Sequence, residues 1–161
     1  ERELKALQPP DMTPPPKAIL RLVLEGMRDG LGLNRVVFAG LTPNKDQLRA
    51  SYMLGSDNDP GFKQFAVDLN GHNLFVRLME KQQSLWLDDD NRQKFFTLIP
   101  INFHKLIDND GFIVMSLFVR GKAVGLFYAD RRNRHCRIDA ESYKRFKQLV
   151  TMAGHHLGKG G

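Results

Sequence analysis

Gly111 to Arg132 reads GFIVMSLFVRGKAVGLFYADRR. Apolar runs lie on either side of Arg120-Gly121-Lys122. Phe112 to Val119 is apolar at every position but Ser116, and Ala123 to Ala129 is broken only by Gly125 and the hydroxyl of Tyr128. Both runs are short, rich in β-branched and aromatic residues, and joined by a glycine turn, which reads as a β-hairpin. Apolar residues occupy both parities, so both faces of these strands are expected to be covered. One face would meet helices. What covers the other is the functional question.

The whole chain sets bounds on the answer. A length of 161 residues fits one domain with a substantial core. A hydrophobic fraction of 42% and a charged fraction of 26% are ordinary for a globular protein. No apolar run reaches the roughly 18–20 residues of a membrane helix. No stretch of the sequence reads as a signal peptide, and the first residue is Glu1, so the expectation is a fragment of a longer chain in a cytoplasmic setting. Cys136 is the single cysteine, which excludes an internal disulfide or a cysteine-rich zinc site. Net charge is +6, and residues 131–147 hold seven Lys/Arg against Asp139 and Glu141. That run is either a solvated loop and helix face or a nucleic-acid footprint.

Upstream of the hairpin, Glu1 to Gln8 is charged and helix-permissive. Pro9-Pro10 and Pro14-Pro15-Pro16 then make a stiff linker. The domain is therefore expected over residues 17–158, after a proline-rich linker at 1–16 and before a short tail at 159–161. Thr13 or the prolines open a helix with Ile19, Leu20, Val23, Leu24, Met27 and Leu31 at helical spacing, ended by Gly30 and Gly32. Asn34–Thr42 and Gln47–Leu54 form a strand pair. Phe62–Leu69 reads as a further strand, Leu74 to Met79 as a short helix and Ser84–Leu87 as a brief strand. Asp88-Asp89-Asp90 suggests a helix cap at Asp90 rather than a metal site, because adjacent residues on one chain do not all converge on an ion. Phe95, Phe96, Leu98 and Ile99 form one helical face up to Pro100, and Phe103, Leu106 and Ile107 form another.

Downstream, Asp139 is expected to cap a last helix, with Glu141 in its first turn. Tyr143, Phe146, Val150, Ala153 and Leu157 step by three and four. The stripe packs the helix on its own sheet, and it is also the candidate dimer seam. The order gives an α+β fold with a mostly antiparallel sheet.

The opening helix into NRVVFAGL, the hairpin GFIVMSLFVRGKAVGLFYADRR and the ending RIDAESYKRFKQLVTMAGHHL together resemble a GAF domain, a ligand-sensing module related to PAS domains. In the hairpin, Gly125-Leu126-Phe127-Tyr128 matches the family's "G-x-L/I-x" strand. The entry PPDMTPPPKAILRLVLEGM is also similar to GAF-type regions that follow an HDOD domain in bacterial signalling proteins. The resemblance implies a central antiparallel sheet of about six strands. Terminal helices would lie on one face, often with a dimer partner. Short helices and loops would surround a small-molecule pocket on the other.

The residues narrow what that pocket takes. The Asn-Lys-Phe-Asp-Glu type motif of cyclic-nucleotide binders has no equivalent here. Bilin-binding members carry a cysteine shortly before the glycine corresponding to Gly111; here Asn102 and Phe103 stand there and Cys136 lies beyond the hairpin, which disfavours a covalent bilin. The GAF-fold methionine sulfoxide reductases need a second thiol to resolve a sulfenic acid, which one cysteine does not supply. No metal is expected, and the cofactor is unknown. Candidate pocket residues are Phe65, Trp86, Phe95, Phe96, Phe103, His104 and Ser116, with plain core packing as the alternative role. His104 either contacts a ligand or is a structural histidine, and His155-His156 reads as a charged helix end. No catalytic constellation is present in the sequence pattern, so a non-catalytic regulatory domain is expected. Its alternatives are a ligand-free dimerisation or protein-interaction module and a nucleic-acid binder using Arg131, Arg132, Arg134, Arg137, Lys144, Arg145 and Lys147.

Overall fold

Phe112–Val119 and Lys122–Asp130 do form a hairpin. Its turn residues Arg120 and Gly121 have φ of 54° and 78°. Two successive left-handed residues are what a type I′ turn requires, and that turn carries the right-handed twist of the strands. The computed structural model describes residues 16–55, 60–107, 111–131 and 138–159. In chain order the elements are α1 (Pro16–Glu25), a π-helical turn (Gly26–Gly30), β1 (Arg35–Leu41), β2 (Gln47–Leu54), a 3-10 turn (Pro60–Gln64), β3 (Ala66–Asp68), α2 (Leu74–Leu78), β4 (Ser84–Leu87), α3 (Arg92–Phe96), α4 (Ile101–Ile107), β5 (Phe112–Val119), β6 (Lys122–Asp130) and α5 (Ala140–Lys159).

The strands make one six-stranded sheet in the order β3-β2-β1-β6-β5-β4. Every pairing is antiparallel. The two hairpins β1–β2 and β5–β6 meet through β1 and β6, where Phe38 faces Phe127 and Val36 faces Ala129. Gly125 lies in that seam. A Cβ there would fall 2.4 Å from the Ala39 carbonyl oxygen, so only glycine lets the two strands come this close.

The sheet separates two apolar layers. On one face α1, the π-helical turn and α5 pack through Leu20, Leu24, Met27, Phe146 and Val150 onto Val36, Phe38, Ile113, Met115 and Phe127. Asp139 caps α5, accepting a 2.7 Å bond from the Ser142 backbone N–H. That bond holds the Asp139 carboxyl below its ordinary range. On the other face α2, α3, α4 and the 3-10 turn cover Val37, Val114, Leu126 and Tyr128. Alternation along β1, β5 and β6 thus sends successive side chains into different layers, and both faces are covered as the two parities required.

Three local expectations are corrected. Phe62 and Phe65 do not begin a strand: Pro60–Gln64 is a 3-10 turn and β3 starts only at Ala66. Residues three apart share a side in a 3-10 turn, and both rings are buried in the covered face, whereas a strand would have sent them to opposite faces. Asp90 is not a cap. The Asp88 carboxylate accepts from the Asp90 and Asn91 backbone N–H groups, while Asn91, at the N-cap position of α3, makes no side-chain cap bond. Phe96 does not share the buried face with Ile99; it is 49% exposed. Residues 1–15, which hold most of the expected linker, lie outside the described residues.

Candidate functional site

The face covered by α2–α4 is built from rings. Phe103, from α4, lies within 4.8–5.9 Å, centroid to centroid, of Phe65, Phe75, Phe112 and Tyr128. Phe62 adds contacts to Phe65 and Tyr128. Most of these pairs are tilted or edge-to-face, the arrangement in which ring quadrupoles attract. All six rings are buried, so among the described residues the middle of this face is occupied by side chains.

One polar cluster lies at the end of this aromatic layer. Arg35, the first residue of β1, is 1% exposed, and Asp130, the last of β6, is fully buried. They are direct partners across the two strands. The Arg35 guanidinium grips the carboxylate through both oxygens, Nε to Oδ1 at 3.0 Å and Nη2 to Oδ2 at 2.6 Å. Nη2 also donates to the Ile107 carbonyl at the end of α4, at 2.7 Å. The guanidinium carbon stands 4.1 Å from the centroid of the Phe62 ring. The Tyr128 hydroxyl donates to Asp130 Oδ2. Burial, with the neighbouring Asp130 charge, pushes the Tyr128 phenol well above its usual value, so it stays a neutral donor. A bidentate pair with these extra bonds is the form in which a buried ion pair is tolerated.

The seven expected pocket residues are not brought together. Phe65 and Phe103 are neighbours in the aromatic layer. Phe95 packs at its margin. Phe96 and His104 stack on each other at 4.4 Å on the outside of α3 and α4, and His104 Nε2 lies 3.2 Å from the Phe96 carbonyl oxygen. Ser116 is fully buried on the covered face, but its hydroxyl is engaged: Oγ accepts from the Gln83 backbone N–H at 3.1 Å and donates to the Lys81 carbonyl at 3.1 Å. It fixes the loop before β4. Trp86 lies in the other layer, 5.4 Å from the Tyr143 ring of α5. β4 alternates, so Leu85 and Leu87 face the aromatic layer while Trp86 faces the helices.

The candidate dimer seam on α5 faces the chain's own sheet. Phe146, Val150 and Ala153 are fully buried against the chain's own sheet. Tyr143 is held by Trp86 and by a 2.7 Å hydrogen bond with Ser84, and Leu157 packs on the same cluster. The stripe is thus an internal face. The outward sides of α1 and α5 instead expose Leu22 and Met152.

Of the basic run, residues 132–137 lie outside the described residues, Cys136 among them. Arg131 points inward, donating from Nη2 to the Leu31 carbonyl at 3.0 Å and toward Ser142 Oγ at 3.4 Å. Arg145 pairs with Glu141, and Lys147 stands 4.4 Å from the Tyr143 ring centroid. Among the described residues no cluster of three or more His, Cys, Asp or Glu is arranged to hold a metal ion. The Arg35–Asp130 cluster was not anticipated from the sequence. Its signal was two opposite charges placed next to fully apolar strand runs.

No family model matches this sequence, and no curated protein matches it. Solved structures do. A methyl-accepting chemotaxis protein, residues 122 to 287, is similar over 90% of this chain and 90% of its own, with 19% identity and a TM-score of 0.68. The GAF domain/HD domain protein from Geobacter sulfurreducens is similar over 89% of this chain and 92% of its own, at 14% identity and a TM-score of 0.71. The blue-light absorbing form of the Thermosynechococcus elongatus PixJ GAF domain is similar over 89% and 85%, at 12% identity and a TM-score of 0.70. The chain has the GAF fold, and at these identities the likeness is one of fold. No helix among the described residues is long and apolar enough to cross a membrane.

Proposed function

We propose that this chain is a sensory, regulatory, non-catalytic GAF-fold domain of a multidomain signalling protein. Its input side is the aromatic face under α2–α4, and its output side is the layer of α1 and α5. The observation that carries this reading is the two-layer division by one sheet, with α1, the π-helical turn and α5 covering the side away from the aromatic face. Solved structures of similar fold belong to a methyl-accepting chemotaxis protein, a GAF domain/HD domain protein and a far-red cyanobacteriochrome photoreceptor, which supports the sensory reading. The ligand suited to this face is a small apolar or aromatic molecule, since ring faces dominate it and Tyr128, Asp130 and Arg35 supply its polar end. Entry is favoured through α3, which buries no residue fully and has no side-chain cap. The proline-rich segment at 9–16 would join an upstream signalling domain, of the HDOD type in the resemblance noted above.

A thermal-shift screen against small apolar and aromatic metabolites tests the reading. At about a hundred times Kd, a true ligand raises Tm by about 5 °C or more for a domain of this size. A screen with no shift removes small-molecule sensing. It would favour the second reading, a ligand-free dimerisation or protein-interaction module. Two observations support that alternative: the aromatic face is already filled by side chains, and Leu22 and Met152 are exposed on the outer sides of α1 and α5.

A further inference from the structure

The geometry points to Asp130-Arg131 as the mechanical link between the two layers, with Arg35 as its anchor under α4. The inference rests on the sensing reading for its purpose, but not for its test. Consecutive residues at the end of a strand point to opposite faces. Here both of those residues are engaged. The Asp130 side chain reaches into the aromatic face, where Arg35 joins it to the Ile107 carbonyl that ends α4 and to the Phe62 ring of the 3-10 turn. Its own backbone carbonyl accepts from Asn34 N–H at 2.9 Å, so the strand end is fixed to the start of β1. One residue on, Arg131 reaches into the other face. It joins the Leu31 carbonyl, just after the π-helical turn, to Ser142 in the first turn of α5.

One short piece of backbone thus holds the C-terminal end of α4 on one side and the facing ends of both terminal helices on the other. A buried bidentate ion pair has two discrete conditions, made or broken, rather than a continuum of lengths, which suits it to a switch. Lifting the end of α4 withdraws the Ile107 carbonyl from Arg35. The guanidinium and the Asp130 carboxylate must then rearrange together, and the peptide between Asp130 and Arg131 turns with them. Movement of that peptide changes the hold of Arg131 on α5 and on the end of the π-helical turn. Arg131 is a positioning residue in this account, since its side chain reaches into the helix layer, away from the aromatic face.

Amide hydrogen exchange on the unliganded protein tests the link. Two variants are used, Arg131→Met and the milder Ser142→Ala, both confined to the helix layer. Lys147→Met, which loses only its contact with Tyr143, is the control. Exchange is normalised to the central amides of β1 and β6, so that a change in global stability cancels. Both test variants should raise exchange in the first turn of α5 and, across the sheet, in α4 at residues 101–107, by roughly five-fold for Arg131→Met and less for Ser142→Ala. The control should leave α4 unchanged. The inference is overturned if α5 loosens while α4 matches wild type, or if α4 and the sheet centre rise together in both variants. Because no ligand is present, either failure leaves the thermal-shift test of sensing standing, and a negative screen leaves this coupling standing.

Discussion

Asp130→Ala is expected to lower folding stability by about 3–5 kcal/mol, measured by urea unfolding of the purified chain. The substitution leaves the Arg35 guanidinium in the core, 1% exposed, without the carboxylate that neutralises it. It also strips the Tyr128 hydroxyl of its acceptor. A loss of that size is a large part of the roughly 5–15 kcal/mol that holds a typical domain together. The double variant Arg35→Met/Asp130→Leu should by contrast cost less, about 2 kcal/mol, since apolar side chains remove both buried charges and leave only the Tyr128 hydroxyl and the Ile107 carbonyl without these partners. If Asp130→Ala is as mild as the double variant, the pair is not the buried anchor described here.

The second large effect falls on Phe103. Phe103→Ala should cost about 3–5 kcal/mol, because the ring is buried and touches four other rings, which a partial collapse does not replace. Differential scanning calorimetry gives the loss directly. Phe96→Ala, on the exposed side of the same pair of helices, should stay within about 1 kcal/mol. Equal effects at the two positions would mean that the aromatic layer is not the core of this face.

Much of the architecture was legible because strand alternation leaves a clear imprint. The hairpin at 111–132 carried apolar residues on both parities, and both faces proved to be covered. α5 announced its buried stripe through the spacing of Phe146, Val150 and Ala153. Spacing does not say what covers a stripe, however, and the sheet of the same chain took it. The segment at 62–69 misled because Phe62 and Phe65 look like part of a partly alternating strand, while Pro60-Gly61 opens a 3-10 turn. Residue type alone places Trp86 with the ligand face. Its place in a four-residue strand sends it to the helices instead. The Arg35–Asp130 pair spans 95 positions, so no local pattern links its halves. Only the sheet order, with β1 beside β6, puts them opposite one another.

A double-mutant cycle between Phe62 and Ser142 tests the coupling of the two faces most directly. Phe62 belongs to the aromatic face and Ser142 to the helix layer, joined in sequence through Arg35, Asp130 and Arg131. Stabilities of Phe62→Leu, Ser142→Ala and the double variant are compared by urea unfolding. Coupling through the Asp130-Arg131 peptide predicts an interaction energy of about 1 kcal/mol. Additivity within about 0.5 kcal/mol, the behaviour of separate sites with no shared partners, would contradict it.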